Sequence, residues 1–349
     1  METVIIPATF CPFAPQINPH VEAAQLHLSK WVQSFNLVQN KTARQRFMRA
    51  NFAWFAACTY PSADVHNLSL VSDWFAWLFL IDDQLDDGIT GRQLEQVQKV
   101  MAELLSVLDD INTSPLLSPH SAHSSIAIAS LTDLWQRTFL QSNAIWRQRF
   151  FRHVSNCFAA ACWEAQNRVQ GIIPNEIAYI KKRRDTGAIY ICLDLIEIVE
   201  HIDLPLYVYN SHMFQQILEA TSNVICWCND IYSLEKEKYL NEHHNLVLVV
   251  QYTHRITQQE AINYVSDLIS AEVRLFLNLE QQVLALFPMY TQDLQKYLAG
   301  MKSWMRGNLD WSSQTKRYNY LAKIVPSETV DYLEKILSTA PGLAHLKRY

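Results

Sequence analysis

The stretch Leu78-Phe79-Leu80-Ile81-Asp82-Asp83-Gln84-Leu85-Asp86-Asp87-Gly88 sets four aspartates into six positions, directly behind one of the most apolar segments of the chain, Trp74 to Ile81. Read as a helix, it places Asp82 beside Asp86 and Asp83 beside Asp87, because residues four apart share a face. Carboxylates this close repel one another, and an apolar setting worsens the repulsion by disfavouring the charged form. Positive charge must compensate, and no run of Lys or Arg adjoins them. A hard cation held by oxygen ligands, magnesium above all, is the natural candidate. A solvated acidic helix end would have the same composition, so the rest of the chain decides.

Only 7 glycines occur in 349 residues, where hairpins and bulges would need more, so helices are expected. There is no glycine-rich phosphate loop; any phosphate must be met by side chains and metal. A net charge of −5 and a pI near 6.2 speak against nucleic acid as a partner. The seven cysteines (Cys11, Cys58, Cys157, Cys162, Cys192, Cys226 and Cys228) follow no zinc spacing and are expected to be buried free thiols of a cytoplasmic protein. The N-terminal stretch is interrupted by Pro7, Pro12 and Pro15 and does not read as a signal peptide. No run of 18 apolar residues exists to cross a membrane.

Nearly every segment shows a 3.6-residue period. Helices are expected over His20–Leu37, Ala43–Ala57, Ala63–Asp86, Gly91–Leu108, Ser125–Leu140, Asn143–Gly171, Asn175–Arg184, Gly187–Glu200, Tyr207–Leu240, Thr257–Leu286, Tyr290–Asn308 and Ser327–Ser338. Asp110–His123, with Pro115 and Pro119, reads as an exposed loop. Thr257 followed by Glu260 has the form of a capping box. The fold class expected is all-α: one domain over residues 1–349, with 1–18 and 319–349 as terminal segments and the helices ringing a central cavity.

A second constellation follows about 145 residues after the first. In Cys228-Asn229-Asp230-Ile231-Tyr232-Ser233-Leu234-Glu235-Lys236-Glu237, residues Asn229, Ser233 and Glu237 stand at i, i+4 and i+8 and line one face of a helix over two turns. Amide carbonyl, hydroxyl and carboxylate together suit one divalent cation. The charged run Glu235-Lys236-Glu237-Lys238 also suits a solvated helix end.

In this order and spacing the two motifs resemble those of class I terpene synthases of bacterial type, whose aspartate-rich motif faces an asparagine-serine-glutamate motif across the mouth of a helical bundle. The resemblance spans roughly residues 26–320 and extends to two more elements. Arg183, 46 residues before Asn229, matches the diphosphate-sensing arginine, with Arg184 as its alternative; Thr186 and Gly187 then match the linker and effector positions at a helix break. Arg317-Tyr318 matches a late pair that binds diphosphate.

The resemblance implies a lyase of isoprenoid biosynthesis, a sesquiterpene cyclase that ionises a linear isoprenyl diphosphate, farnesyl diphosphate first among them. Three Mg2+ ions are implied between Asp82, Asp86 or Asp87 on one side and Asn229, Ser233 and Glu237 on the other. Arg183, Lys236, Arg317 and Tyr318 are implied as diphosphate donors, with Asp83 meeting Arg or Lys in the closed state and Asp230 a secondary site residue. Phe55, Phe75, Phe79, Trp304 and Trp311 are the aromatic pocket walls expected to stabilise carbocations. C10 or C20 substrates, chain elongation of the prenyl diphosphate synthase kind and a non-catalytic helical binding protein are the other readings. Either a monomer or a homodimer is compatible with the sequence.

Overall fold

A computed structural model describes residues 5–39, 41–87, 90–113 and 125–318, the side chains at 42, 86, 87, 90 and 110–113 excepted. The side chains of Asp86 and Asp87, the expected helix Ser327–Ser338 and the C-terminal segment 319–349 lie outside the described residues, as does most of the expected loop Asp110–His123.

Fourteen α-helices succeed one another among the described residues, with no strand: α1 Val21–Ser34, α2 Lys41–Ala50, α3 Phe52–Thr59, α4 Val65–Asp87, α5 Leu94–Thr113, α6 Ile126–Phe139, α7 Ala144–Gln170, α8 Glu176–Thr186, α9 Ile189–Glu200, α10 Leu206–Tyr209, α11 His212–Tyr239, α12 Leu246–His254, α13 Gln258–Leu286 and α14 Thr291–Gln314. The all-α expectation holds. Local signals set many boundaries: Ser125, Asn143, Asn175 and Ser211 accept backbone N–H bonds as N-caps, Gly171 closes α7 with φ 64°, and the Thr257–Glu260 capping box is formed in both directions.

Three expectations on the helices need correction. Ala43–Ala57 is not one helix: Asn51 adopts φ 55° and divides it into α2 and α3, a conformation asparagine tolerates better than most residues. Tyr207–Leu240 is likewise split, because Ser211 leaves helical geometry to cap α11. No helix was expected between Leu240 and Thr257, yet α12 lies there; its apolar run Leu246–Val250 is too short to show a period.

The layering follows from which helices are apolar all round. In α9 every residue from Ile191 to Val199 is buried, and α11 is buried on most of its length, so both lie inside. Helices α3, α4, α7, α8 and α14 enclose the space beside them. Burying α9 also buries its acids. Asp194 and Glu197 accept from Arg149 of α7 at 2.9 and 2.6 Å, and Asp194 also meets His153 at 2.6 Å. Burial works against the Asp194 carboxylate, but His153 and Arg149 outweigh it and hold its pKa below the ordinary value.

Candidate active site

The ring of helices encloses a cavity with about 1420 Å³ of empty space, including its open mouth. Its depth is apolar and its mouth polar. Phe55 from α3, Phe75 and Phe79 from α4 and Trp304 from α14 all line it, as does Trp77. The rings touch edge to face or tilted: Phe55 and Phe75 at 4.9 Å, Phe75 and Trp304 at 5.2 Å, Phe55 and Trp304 at 5.6 Å. Trp311 does not line this cavity. It stacks behind Phe55 at 4.4 Å and donates its indole N–H to the Ala50 carbonyl, where it holds the wall from outside.

The two motifs meet at the mouth. Asp82 and Asp83 lie in the last two turns of α4, and Asn229, Ser233, Lys236 and Glu237 face them from α11. The sequence offered no neighbouring cation for the aspartates; the structure brings two from far along the chain. Arg317 donates to both oxygens of Asp83 at 2.6 and 2.7 Å and approaches Asp82 at 3.4 Å, while Lys236 lies 3.3 Å from Asp83. Burial alone would raise the Asp83 pKa, but these two cations outweigh it and bring it to about 2. Arg317 also lies over the Phe79 ring at 4.7 Å, so one guanidinium covers both the aspartates and an aromatic wall. Asp82 keeps about half of its side chain exposed, as a carboxylate able to accept a further cation.

Arg183 from α8 reaches the other jaw. It donates to Asp230 at 3.0 Å and to the Asn229 amide oxygen at 2.9 Å; Asn229 in turn donates to the Tyr318 hydroxyl at 2.6 Å. Asp230 does not face the cavity. It is fully buried among Arg183, the Tyr179 hydroxyl and the Leu246 N–H, where it fixes Arg183. Arg184, the alternative sensor, turns the other way to Asn223 and Glu219 and is not part of the wall.

Thr186, Gly187 and Ala188 line the cavity at the break between α8 and α9. The left-handed backbone at this break falls one residue after Gly187: Ala188 has φ 55°, whereas Gly187 has φ −67°. Gly187 is required for closeness instead. A Cβ there would stand 2.6 Å from Cys226 Sγ and 3.1 Å from the Arg183 carbonyl.

Two observations bear on metal binding. Among the described residues no three His, Cys, Asp or Glu side chains converge as a ready cluster; the α11 stripe instead mixes an amide, a hydroxyl and a carboxylate. In that stripe, burial and the charge of Asp230 push the Glu237 carboxyl up to about 7 despite Arg183. A carboxylate so short of positive charge fits a hard oxygen-seeking cation.

A polar patch of the wall was not legible in the sequence. Glu164 and Arg168 of α7 face the cavity with Glu242 and His244 from the turn after α11. Arg168 donates to Glu242 at 2.5 Å and lies 3.7 Å from Glu164. Their spacing on α7 is i, i+4, but nothing in the local sequence says that the turn folds onto it. The seven cysteines are free thiols; Cys58, Cys192, Cys226 and Cys228 are buried, while Cys11, Cys157 and Cys162 are only partly so.

Residues 73–274, more than half of the chain, match the family model described as terpene synthase family 2, C-terminal metal binding. The chain belongs to this terpene synthase family. The synthase is 36% identical to (+)-T-muurolol synthase ((2E,6E)-farnesyl diphosphate cyclizing) of Roseiflexus castenholzii, over 88% of this chain and 92% of that one. It is 31% identical to germacrene A synthase of Nostoc punctiforme, over 94% and 99% of the two chains. Among solved structures, germacradien-4-ol synthase from Streptomyces citricolor superposes with a TM-score of 0.76 at 26% identity, covering 90% of this synthase and 99% of that chain. No described helix of the synthase is long and apolar enough to cross a membrane.

Proposed function

We propose that the synthase is a Mg2+-dependent cyclase of farnesyl diphosphate that releases diphosphate and a C15 hydrocarbon or alcohol. The observation that carries this reading is the double closure of the cavity mouth: Arg317 and Lys236 on Asp83, and Tyr318 on Asn229, join α4 to α11 above an apolar, aromatic pocket. The two sesquiterpene synthases it resembles over nearly their whole length point to the C15 substrate.

In this reading Asp82, with Asp86 or Asp87, and Asn229, Ser233 and Glu237 hold three Mg2+ ions, which supply charge neutralisation at the leaving diphosphate. Arg183, Lys236, Arg317 and Tyr318 donate to the diphosphate oxygens, and arginine's planar fork suits that task. To do so Arg183 gives up its bond to the Asn229 oxygen, freeing that oxygen as a ligand while Asp230 keeps the guanidinium in place. The allylic C–O bond breaks with its electron pair going to diphosphate. Thr186 and Gly187 border the place where the allyl cation forms. Phe55, Phe75, Phe79 and Trp304 then face the cation as it cyclises away from bulk water. A proton lost from carbon, or from water added to carbon, ends the reaction.

Purified synthase is to be incubated with Mg2+ and, separately, the C10, C15 and C20 diphosphates, with volatile products read by mass spectrometry and released diphosphate by a coupled assay. Cyclic C15 product that disappears with EDTA is expected. Diphosphate release that persists in EDTA, or product from C20 alone, would reject this reading in its metal or its substrate part respectively.

A further inference from the structure

The metal-facing stripe of α11 is gripped from outside by the turn that follows it. That turn is made by Asn241, at φ 57°, and the Glu242 N–H donates back to the Glu237 carbonyl at 2.9 Å, so the chain reverses beside the end of the stripe. Asn245 then lies fully buried with its amide at full hydrogen-bonding capacity. Its Nδ2 donates to Glu237 Oε2 and to the Asp230 carbonyl, each at 2.6 Å; its Oδ1 accepts from the Val247 and Leu248 N–H groups at 2.9 and 3.4 Å and so caps α12. One side chain thus ties the Glu237 carboxylate to the backbone of the residue beside Asn229 and to the start of another helix.

The turn is itself anchored. Glu242 Oε1 accepts from the N–H groups of His243 and His244, at 2.8 and 2.9 Å, and meets His244 Nδ1 at 2.5 Å; its Oε2 accepts from Arg168 of α7. His244 Nε2 lies 3.1 Å from the Asn167 amide, again on α7. A flexible loop at this point would let Glu237 choose among rotamers.

We propose that Asn245 is a positioning residue for the cation site: by holding Oε2 of Glu237 it presents the other carboxylate oxygen towards Ser233 and Asn229, and the Glu242-centred anchor on α7 keeps Asn245 there. This rests on the reading of Asn229, Ser233 and Glu237 as cation ligands. Hydrogen-bonding partners of ligating carboxylates commonly govern affinity by about 10–100-fold.

Asn245→Ser separates the two jobs of the side chain, since serine still caps α12 but is too short to span to both Glu237 and Asp230. Binding of Mn2+ in the presence of inorganic diphosphate, followed by electron paramagnetic resonance, is the readout, alongside the thermal midpoint of each variant. The expected result is Mn2+ affinity about tenfold weaker in Asn245→Ser, with a folded, cooperatively melting protein. Unchanged affinity with a lowered midpoint would mean that Asn245 only caps α12, and would overturn the proposal. Should Asn245→Ser not fold, Glu242→Gln carries the test: a measurable loss of Mn2+ affinity supports the anchor, and wild-type affinity refutes it. A wild-type protein that binds no Mn2+ with diphosphate would instead bring down the metal reading of the stripe, and this inference with it.

Discussion

At the scale of single residues, Asp82 and Gly187 are the most exposed to test. Asp82 is the carboxylate at the mouth that Arg317 only grazes, so its loss leaves Arg317–Asp83 in place. Asp82→Ala is therefore expected to keep its helical circular dichroism while farnesyl diphosphate turnover with Mg2+ falls by about two to three orders of magnitude; near-normal turnover would refute its role. Gly187→Ala would drive a Cβ against Cys226 Sγ. Slower turnover and a changed product mixture are expected, with Gly187→Ala/Cys226→Ala recovering part of both, because the two sites share one gap. Gly187 and the α11 stripe show what was legible at this scale. Residues four and eight apart on one helix can be read from spacing alone, and so can a glycine at a helix junction. The partner of Asp83 could not be read: Arg317 stands 234 residues away and only the fold brings it back.

At the scale of elements, what stands out is the strut between α7 and α9. Arg149 is nearly buried and satisfies Asp194 and Glu197 at once, with its guanidinium also over the Tyr209 ring at 4.0 Å. Its length and charge have no apolar substitute while both acids remain. Arg149→Met should cost about 3–5 kcal/mol in urea unfolding, because it strips buried Glu197 of its cation and leaves Asp194 with only His153 and the Tyr209 hydroxyl. A loss under 1 kcal/mol would show that water or a rearranged partner replaces it. Elements were legible to the extent that their ends carry local chemistry. Ser125, Asn143, Asn175 and Thr257 announce helix starts in sequence and cap them in the structure. Asn51 and Ser211 carry the same residue types inside a continuous apolar period, and there the period masked the break. For α12 the opposite holds: its buried run has no polar face, so nothing periodic marks it as a helix.

At the scale of the whole molecule, the synthase buries several carboxylates in its interior, and their compensation sets its response to acid. Asp194 lies on the inner helix α9 and Glu242 lines the cavity after α11, and in both, burial opposes ionisation but nearby cations prevail: His153 and Arg149 for Asp194, His244 and Arg168 for Glu242. Both pKa values lie below those of an unfolded chain, near ~4. A depressed value means that the unfolded state binds the proton first, so the stabilisation is complete above about pH 5 and is lost as pH falls through the folded values. The free energy of unfolding is thus expected to decline steeply below about pH 4.5. The decline should become shallower by up to about 1.4 kcal/mol per pH unit when one of these protons is removed from the balance, in Asp194→Asn or Glu242→Gln. If both variants keep the wild-type slope between pH 5 and 3, the interior pairs do not govern acid stability and the surface carboxylates must. If only Glu242→Gln flattens it, the anchor beneath the cavity mouth is the first part of the molecule that acid releases.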